Sequence, residues 1–472
     1  MLFTLTIGAG ESYGAVSWPS FSQSVNAGAA ICMDADTEAI LYGKNINSKM
    51  YPASITKIMT AILVLENCDM DEEVTFSQTA LNSLEPGAVT ARTSVGDVLT
   101  VRDCMYAMLY RSANEVANAL AEHVAGSISA FADMMNAKAR ELGCTNTHFV
   151  NPSGLHDSEH YTTAHDMALI AKAAMNDPRF LELEDDESYR IGPTQEVPQG
   201  MLVTIGHKML RSSGGYTDSR VVGGKTGYTS AAGNTLVTMA EDDGRRLVAV
   251  VLADRNPAHY TDTKAMLDLG FSSFTNVSAE GLLDIDALEQ RFVTDGVIPE
   301  SANNLKTDRP LYLTVPTGAT TDGVTTDFEY NVSQNAPEGA VAKVDFLMGD
   351  HTAGSYFILN ERESSLSILD VSTGTKVAVI SVSLATIGGI AAFLLLGGGT
   401  AYHAHNVSLE KKKLQRMKEN RRRRLESMGI SEEEFRRLVE NRKKTQDLNR
   451  TRDRQRNKTT NFRGKGRPRN KG

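Results

Sequence analysis

Cysteine, tryptophan and closely spaced metal ligands are what this chain has least of. Its 472 residues hold 4 cysteines and 1 tryptophan. The cysteines stand at positions 32, 68, 104 and 144, too far apart for the close Cys-x-x-Cys pair of a zinc site. Four in a chain this long do not make a disulfide scaffold either, so they read as buried thiols. The 10 histidines never take His-Glu-x-x-His spacing. His148, His156, His160 and His165 gather near one loop, whose polarity accounts for them, and neither a metal nor a cofactor is expected. The amino terminus lacks the basic start of a signal peptide, although residues 1–9 are apolar and Ser12-Tyr13-Gly14-Ala15 resembles a cleavage site. Residues 1–26 therefore read as the trailing part of a signal peptide or a leader.

Charge is what the segment 377–396 lacks altogether. It is rich in Ile, Leu, Val and Ala, and as a helix it covers about 30 Å of hydrocarbon. Residues 377–400 are expected to be a single transmembrane helix. The overall net charge of -9 hides a split around it. Residues 411–472 carry 24 Lys and Arg against 8 Asp and Glu, a net of +16, which leaves -25 on the rest. The positive-inside rule places the basic tail, 401–472, in the cytoplasm and everything before Lys376 outside. Attraction of the tail to anionic lipid is the expected role, ahead of nucleic acid or protein binding.

What is there, with 41% hydrophobic and 23% charged residues, suffices for a sizeable globular core. Three short motifs occur in order: Ser54-Ile55-Thr56-Lys57, Ser112-Ala113-Asn114 and Lys225-Thr226-Gly227. Together they supply a serine nucleophile, a lysine able to take its proton, a second hydroxyl with an amide, and a cationic strand edge. Each alone is weak. Ser408-Leu409-Glu410-Lys411 also fits the first pattern, and Ser24-Val25-Asn26, Ser301-Ala302-Asn303 and Ser333-Gln334-Asn335 fit the second.

Context separates them. Pro52 and the run Ile55, Ile58, Met59, Ile62, Leu63 put Ser54 on the first turn of a buried helix, with Lys57 on the same face. Burial and a second cation, Lys225, lower the lysine's pKa toward that of a base. Ser112 and Asn114 fall in a turn between two helical stretches. Thr235 to Ala240 and Leu247 to Ala253 flank Asp243-Gly244, a hairpin signal, with Lys225 to Gly227 on the neighbouring strand. Gly227 leaves room for a peptide backbone alongside.

These motifs, with Asn151-Pro152-Ser153-Gly154-Leu155 and 226–233, resemble the low-molecular-mass penicillin-binding proteins that act as serine D-alanyl-D-alanine carboxypeptidases. The resemblance is strong over 27–271. It implies that Ser54 is acylated, Lys57 is the acylation base and Ser112 relays the proton to the leaving amine. It further implies that Asn114 holds the peptide carbonyl and that Lys225 with Thr226 holds the terminal carboxylate. Gly227 lies beside them, and the N–H groups of Ser54 and Tyr228 form the oxyanion hole. The implied partners are a peptidoglycan stem peptide ending in D-Ala-D-Ala and β-lactam inhibitors. Arg211 and Arg255 are candidates for a further carboxylate contact. A D,D-endopeptidase uses the same residues. A β-lactamase fits less well, since no Glu-Pro-x-Leu-Asn segment lies between Asn114 and Lys225. A non-catalytic wall-assembly scaffold is the remaining alternative.

The expected fold is α/β: a β-lactamase/transpeptidase-like catalytic domain over 27–275, an antiparallel sheet covered by helices. A small all-β stalk domain is expected over 276–363, from short alternating runs at 311–315, 328–332, 341–348 and 356–359. A Ser/Thr-rich linker, the transmembrane helix and the basic tail follow.

Overall fold

The computed structural model describes residues 17–360, apart from 22, 86, 300–303, 331 and 333–335. The leader up to residue 16, the linker, the 377–400 segment and the basic tail lie outside the described residues. Among the described residues no helix is long and apolar enough to cross a membrane.

The centre is a five-stranded antiparallel sheet built from β1 (Ala29–Asp34), β2 (Ile40–Lys44), β3 (Val221–Thr229), β4 (Gly233–Asp242) and β5 (Arg245–Asp254). Its order is β2-β1-β5-β4-β3, so the strand carrying Lys225 is an edge. The β4–β5 turn falls on Asp243 and Gly244, with φ of 49° and 75°. Both central residues are left-handed, as a two-residue hairpin of matching twist requires.

Alternation along the strands builds two cores. Ile31, Met33, Val237, Met239, Val248 and Val250 face one side, while Cys32, Leu236, Ala240, Leu247, Ala249 and Val251 face the other. Helices α1 (Lys57–Asn67), α2 (Val101–Tyr110), α3 (Asn114–Ala125) and α4 (Ala164–Met175) fill the first side, together with α5 (Pro178–Glu184). Helix α6 (Ala258–Ser273) covers the second through Tyr260, Met266 and Leu267. Each Leu, Ile or Val so buried contributes about 1.5–3 kcal/mol. Starts are set locally: Thr100 accepts from Asp103 N–H ahead of α2, and Thr163 from Asp166 N–H ahead of α4, both at 3.0 Å.

Beyond α6 the chain builds α7 (Ile285–Thr294) and six strands, β6 (Phe274–Ser278), β7 (Leu305–Thr307), β8 (Tyr312–Pro316), β9 (Thr325–Glu329), β10 (Ala340–Met348) and β11 (His351–Asn360). They form the sheets β6-β8 and β7-β11-β10-β9. The region is not wholly β. Asp284 caps α7 by accepting from Ala287 N–H at 3.0 Å, and Leu288 and Phe292 bury against Phe346, Tyr356 and Ile358. Expecting alternation throughout hid that helical spacing. The β1–β2 turn docks here: Thr37 accepts the Ser355 N–H at 2.9 Å through its carbonyl, and its hydroxyl meets that of Thr314 at 2.6 Å.

Candidate active site

Pro52 leads into a 3-10 turn, Ala53–Thr56, that runs directly into α1. Ser54 is thus on a tighter turn than an ordinary first helical turn. Ala53 sits at φ 53°, an unusual conformation for a residue with a Cβ, and it is imposed from outside. Gly154 explains how. An added Cβ there would lie 1.8 Å from the Ala53 carbonyl oxygen, so only glycine lets the 151–155 loop press against the serine turn. Asn151 folds that loop by accepting from the Ser153 and Gly154 N–H groups at 3.2 and 2.8 Å.

Lys57 is fully buried at the centre. Its Nζ donates to Ser54 Oγ at 3.1 Å, Asn114 Oδ1 at 2.8 Å and the Ser153 carbonyl at 2.5 Å. Burial pushes its pKa well below the usual lysine range, and the charge of Lys225 pushes the same way, against the pull of Glu115. Three separate elements therefore converge on one amine. Asn114 opens α3, and its Nδ2 donates to the Val89 carbonyl at 3.0 Å, which fixes the amide orientation. Ser112 stands before it at φ 63°, its Oγ buried and without a hydrogen-bond partner. No hydrogen bond joins Ser112 to Ser54 or Lys57 among the described residues.

Edge strand β3 closes the other side. A Cβ at Gly227 would lie 2.9 Å from the Ser54 nitrogen and 2.3 Å from Thr235 Oγ1, so the strand meets the serine turn almost backbone to backbone. Thr235 donates to the Pro52 carbonyl at 2.8 Å and ties β4 to the same turn. Thr226 is half-buried, and Tyr228 is 64% exposed at the rim. Lys225 is buried, with Nζ donating to the Thr226 carbonyl at 2.9 Å. Burial lowers its pKa to about 8, and the Glu184 carboxylate acts against that fall.

Three residues of this centre, Glu184, Glu115 and His207, were not singled out in the sequence, and a fourth, His160, was read there as loop polarity. Glu184, the last residue of α5, is pushed up to about 8 by burial, partly offset by Lys225 and the Gly224 N–H. Glu115 accepts from Ala91 N–H at 2.6 Å and is raised by burial. His207 is held neutral by burial, near pKa 3, its Nε2 2.9 Å from Thr238 Oγ1. His160, assigned above to loop polarity, is buried and neutral, also near pKa 3. Its Nδ1 accepts the Val150 N–H at 3.2 Å, so Nε2 carries the proton and donates to Thr56 Oγ1 at 2.9 Å. For Glu115 and His207 the sequence cue was an ionisable residue inside a largely apolar run; Glu184 and His160 stand among polar residues and carried none.

Among the described residues no hydrogen bond links either arginine candidate to the cluster. Arg211 donates from Nε to the Ile205 carbonyl at 2.5 Å, and Arg255 is exposed. Of the look-alike motifs, Asn26 is tied to Asp262 by its backbone N–H at 2.5 Å, and those at 301–303, 333–335 and 408–411 lie outside the described residues.

Residues 15–256 match the peptidase S11 family of D-alanyl-D-alanine carboxypeptidases. The D-alanyl-D-alanine carboxypeptidase DacF of Bacillus subtilis is 32% identical over 52% of this chain and 63% of its own length. DacB2 of Mycobacterium tuberculosis, also named a D-alanyl-D-alanine carboxypeptidase, is 32% identical over 51% of this chain and 81% of its own. The crystal structure of the DacD carboxypeptidase from Francisella tularensis superposes with a TM-score of 0.53 at 25% identity, covering 74% of this chain and 96% of that one. The match thus spans somewhat less than two thirds of the Bacillus relative.

Proposed function

The chain belongs to the peptidase S11 family, and from that premise we propose that it is a serine D-Ala-D-Ala carboxypeptidase acting on peptidoglycan stem peptides. The observation that carries the reading is the placement of a buried lysine amine of depressed pKa 3.1 Å from the hydroxyl of Ser54. Ser54 Oγ attacks the carbonyl carbon of the penultimate D-alanine while Lys57 Nζ takes its proton. The C–N bond breaks, the proton passes by way of Ser112 to the leaving amine, and free D-alanine departs. Water then attacks the ester carbonyl, giving its proton to Lys57; the C–Oγ bond breaks, Lys57 returns the proton to Ser54 Oγ, and the acid departs. A β-lactam enters at the same first step through its strained amide.

The substrate lies along β3 as an added strand. Lys225 and Thr226 receive its terminal carboxylate, and the Asn114 amide its peptide carbonyl. The close approach of Gly227 to the Ser54 nitrogen supports an oxyanion hole formed by the N–H groups of Ser54 and Tyr228. Region 276–363 serves as a stalk, residues 377–400 as a membrane anchor and the basic tail as its cytoplasmic, lipid-attracted end; the charge split in the sequence supports this orientation.

Mass analysis of the purified chain with a peptide ending in D-Ala-D-Ala is the direct test. Loss of one D-alanine is the expected result, and an unchanged peptide beside a folded protein overturns the reading. The same assay on a cross-linked peptide distinguishes the endopeptidase. For topology, protease added to intact spheroplasts should digest residues 27–370 and spare a tag at Gly472; the reverse pattern removes the exported placement.

A further inference from the structure

At the end of α1 remote from Ser54, three side chains of different donor chemistry meet. Cys68 terminates α1 in an extended conformation, its own N–H bonded to the Val64 carbonyl at 2.9 Å. Glu72 closes the next turn: its N–H reaches the Asp69 carbonyl, its Oε1 accepts the Asp69 N–H at 2.8 Å, and its carbonyl accepts the Val101 N–H. His123 stands in the last turn of α3, with Nε2 2.9 Å from Glu72 Oε2. One donor atom from each of the three lies within 4.8 Å of the others, and all three residues are half-buried. Cysteine spacing alone excluded a close zinc pair; the fold supplies the nitrogen from a different helix.

A thiolate, an imidazole and a carboxylate form a borderline-soft set that suits zinc and disfavours the oxygen-seeking calcium and magnesium ions. Tetrahedral zinc at its usual bond lengths sets donor atoms roughly 3.3–3.6 Å apart, which side-chain rotation of about 1 Å supplies here. The backbone at Cys68 and Glu72 is already fixed. The Asp69 N–H on Glu72 Oε1 is the kind of outer contact that aims a ligating carboxylate, leaving Oε2 toward His123. Solvent reaches half-buried residues and provides a fourth ligand.

We propose that Cys68, Glu72 and His123 bind one zinc ion that braces the end of α1 against the last turn of α3. Binding forms a sulfur–zinc bond and releases the Cys68 thiol proton to solvent. The ion takes no part in acyl transfer. Its effect is mechanical: α1 and α3 begin at Lys57 and Asn114, which are hydrogen-bonded at 2.8 Å, and zinc joins the same two helices at their other ends.

The test uses the full chain after chelator treatment. Cobalt(II) should bind with one equivalent and give a thiolate-to-metal charge-transfer band. Zinc should displace it and raise the melting temperature. Cys68→Ser should abolish the band. His123→Gln should weaken zinc by at least about a hundredfold, since loss of even an outer contact typically costs ten- to a hundredfold. Absence of the band in the folded wild-type chain overturns the proposal whether or not a variant folds. So does zinc affinity unchanged in both variants, which would place the ion elsewhere in the chain.

Discussion

The two halves of the described structure bury different things. Around Ser54 the interior holds Lys57, Glu115, His160, Glu184, His207 and Lys225, each at most 3% exposed. In the region from Phe274 to Asn360 no Asp, Glu, Lys, Arg or His is buried among the described residues; the buried polar groups are Thr314, Thr326, Ser355 and Asn360. Burying a charge is costly unless it is paired, hydrogen-bonded or neutralised. The second region follows the cheaper rule and gains only stability from its core. The first departs from it repeatedly, around Ser54 and also at Asp34, Asp166, Asp254 and Asp262, and perturbed buried groups of the kind gathered around Ser54 mark candidate sites of chemistry.

The sharpest way to break this contrast is at the nucleophile. Ser54→Ala should abolish covalent labelling by a tagged penicillin, and stoichiometric label on that variant would show that another residue is acylated. Phe346→Ala tests the opposite half. Removing a fully buried ring from the apolar core should cost about 3–5 kcal/mol in denaturant unfolding, with the acylation rate of the folded protein unchanged. A slower rate would mean that the second region shapes the site.

Lys57→Arg keeps a cation but not a base, because guanidinium stays protonated. Acylation should fall at least about a hundredfold in stopped-flow labelling, in line with loss of general base catalysis, and wild-type rates would take Lys57 out of the mechanism. The gentlest test is acid. His160 and His207 titrate near pH 3 when folded, against 6.5 unfolded. At these two sites the unfolded chain therefore binds more protons between those values, and the stability the two histidines contribute is lost as pH drops below about 6.5. Each histidine contributes a slope of about 1.4 kcal/mol per pH unit well inside that window. His160→Gln should flatten the melting-temperature profile between pH 6 and about 4, and an unaltered profile would remove His160 from the acid response.

Much of the centre was readable because its signals are short. Asp243-Gly244 specifies its turn locally, the β1 and β4 alternation follows from the pleat, and Ser54 and Lys57 are three residues apart on one turn. What escaped depends on distant partners. Glu115 is defined by the Ala91 N–H and Glu184 by Lys225, and neither pairing has a fixed sequence interval. His160 looked like loop polarity because its two partners, Val150 and Thr56, lie 10 and 104 positions before it, and no local spacing ties it to Thr56. Helix α7 was missed for another reason: Ile285, Leu288 and Phe292 are spaced for a helix, but they stand beside strand-like runs that set the expected pattern.

The contact between Thr235 and Pro52 joins residues 183 positions apart. A chain emerging from synthesis presents the serine and its lysine early, yet the turn that aims them waits for Gly154, Gly227 and Thr235 to arrive. Contacts of such long range form late, since the connecting loop must be closed first. A truncated product ending before β4 would carry both reactive side chains and still be inert. Assembly of the serine turn is thereby tied to near-completion of the central sheet.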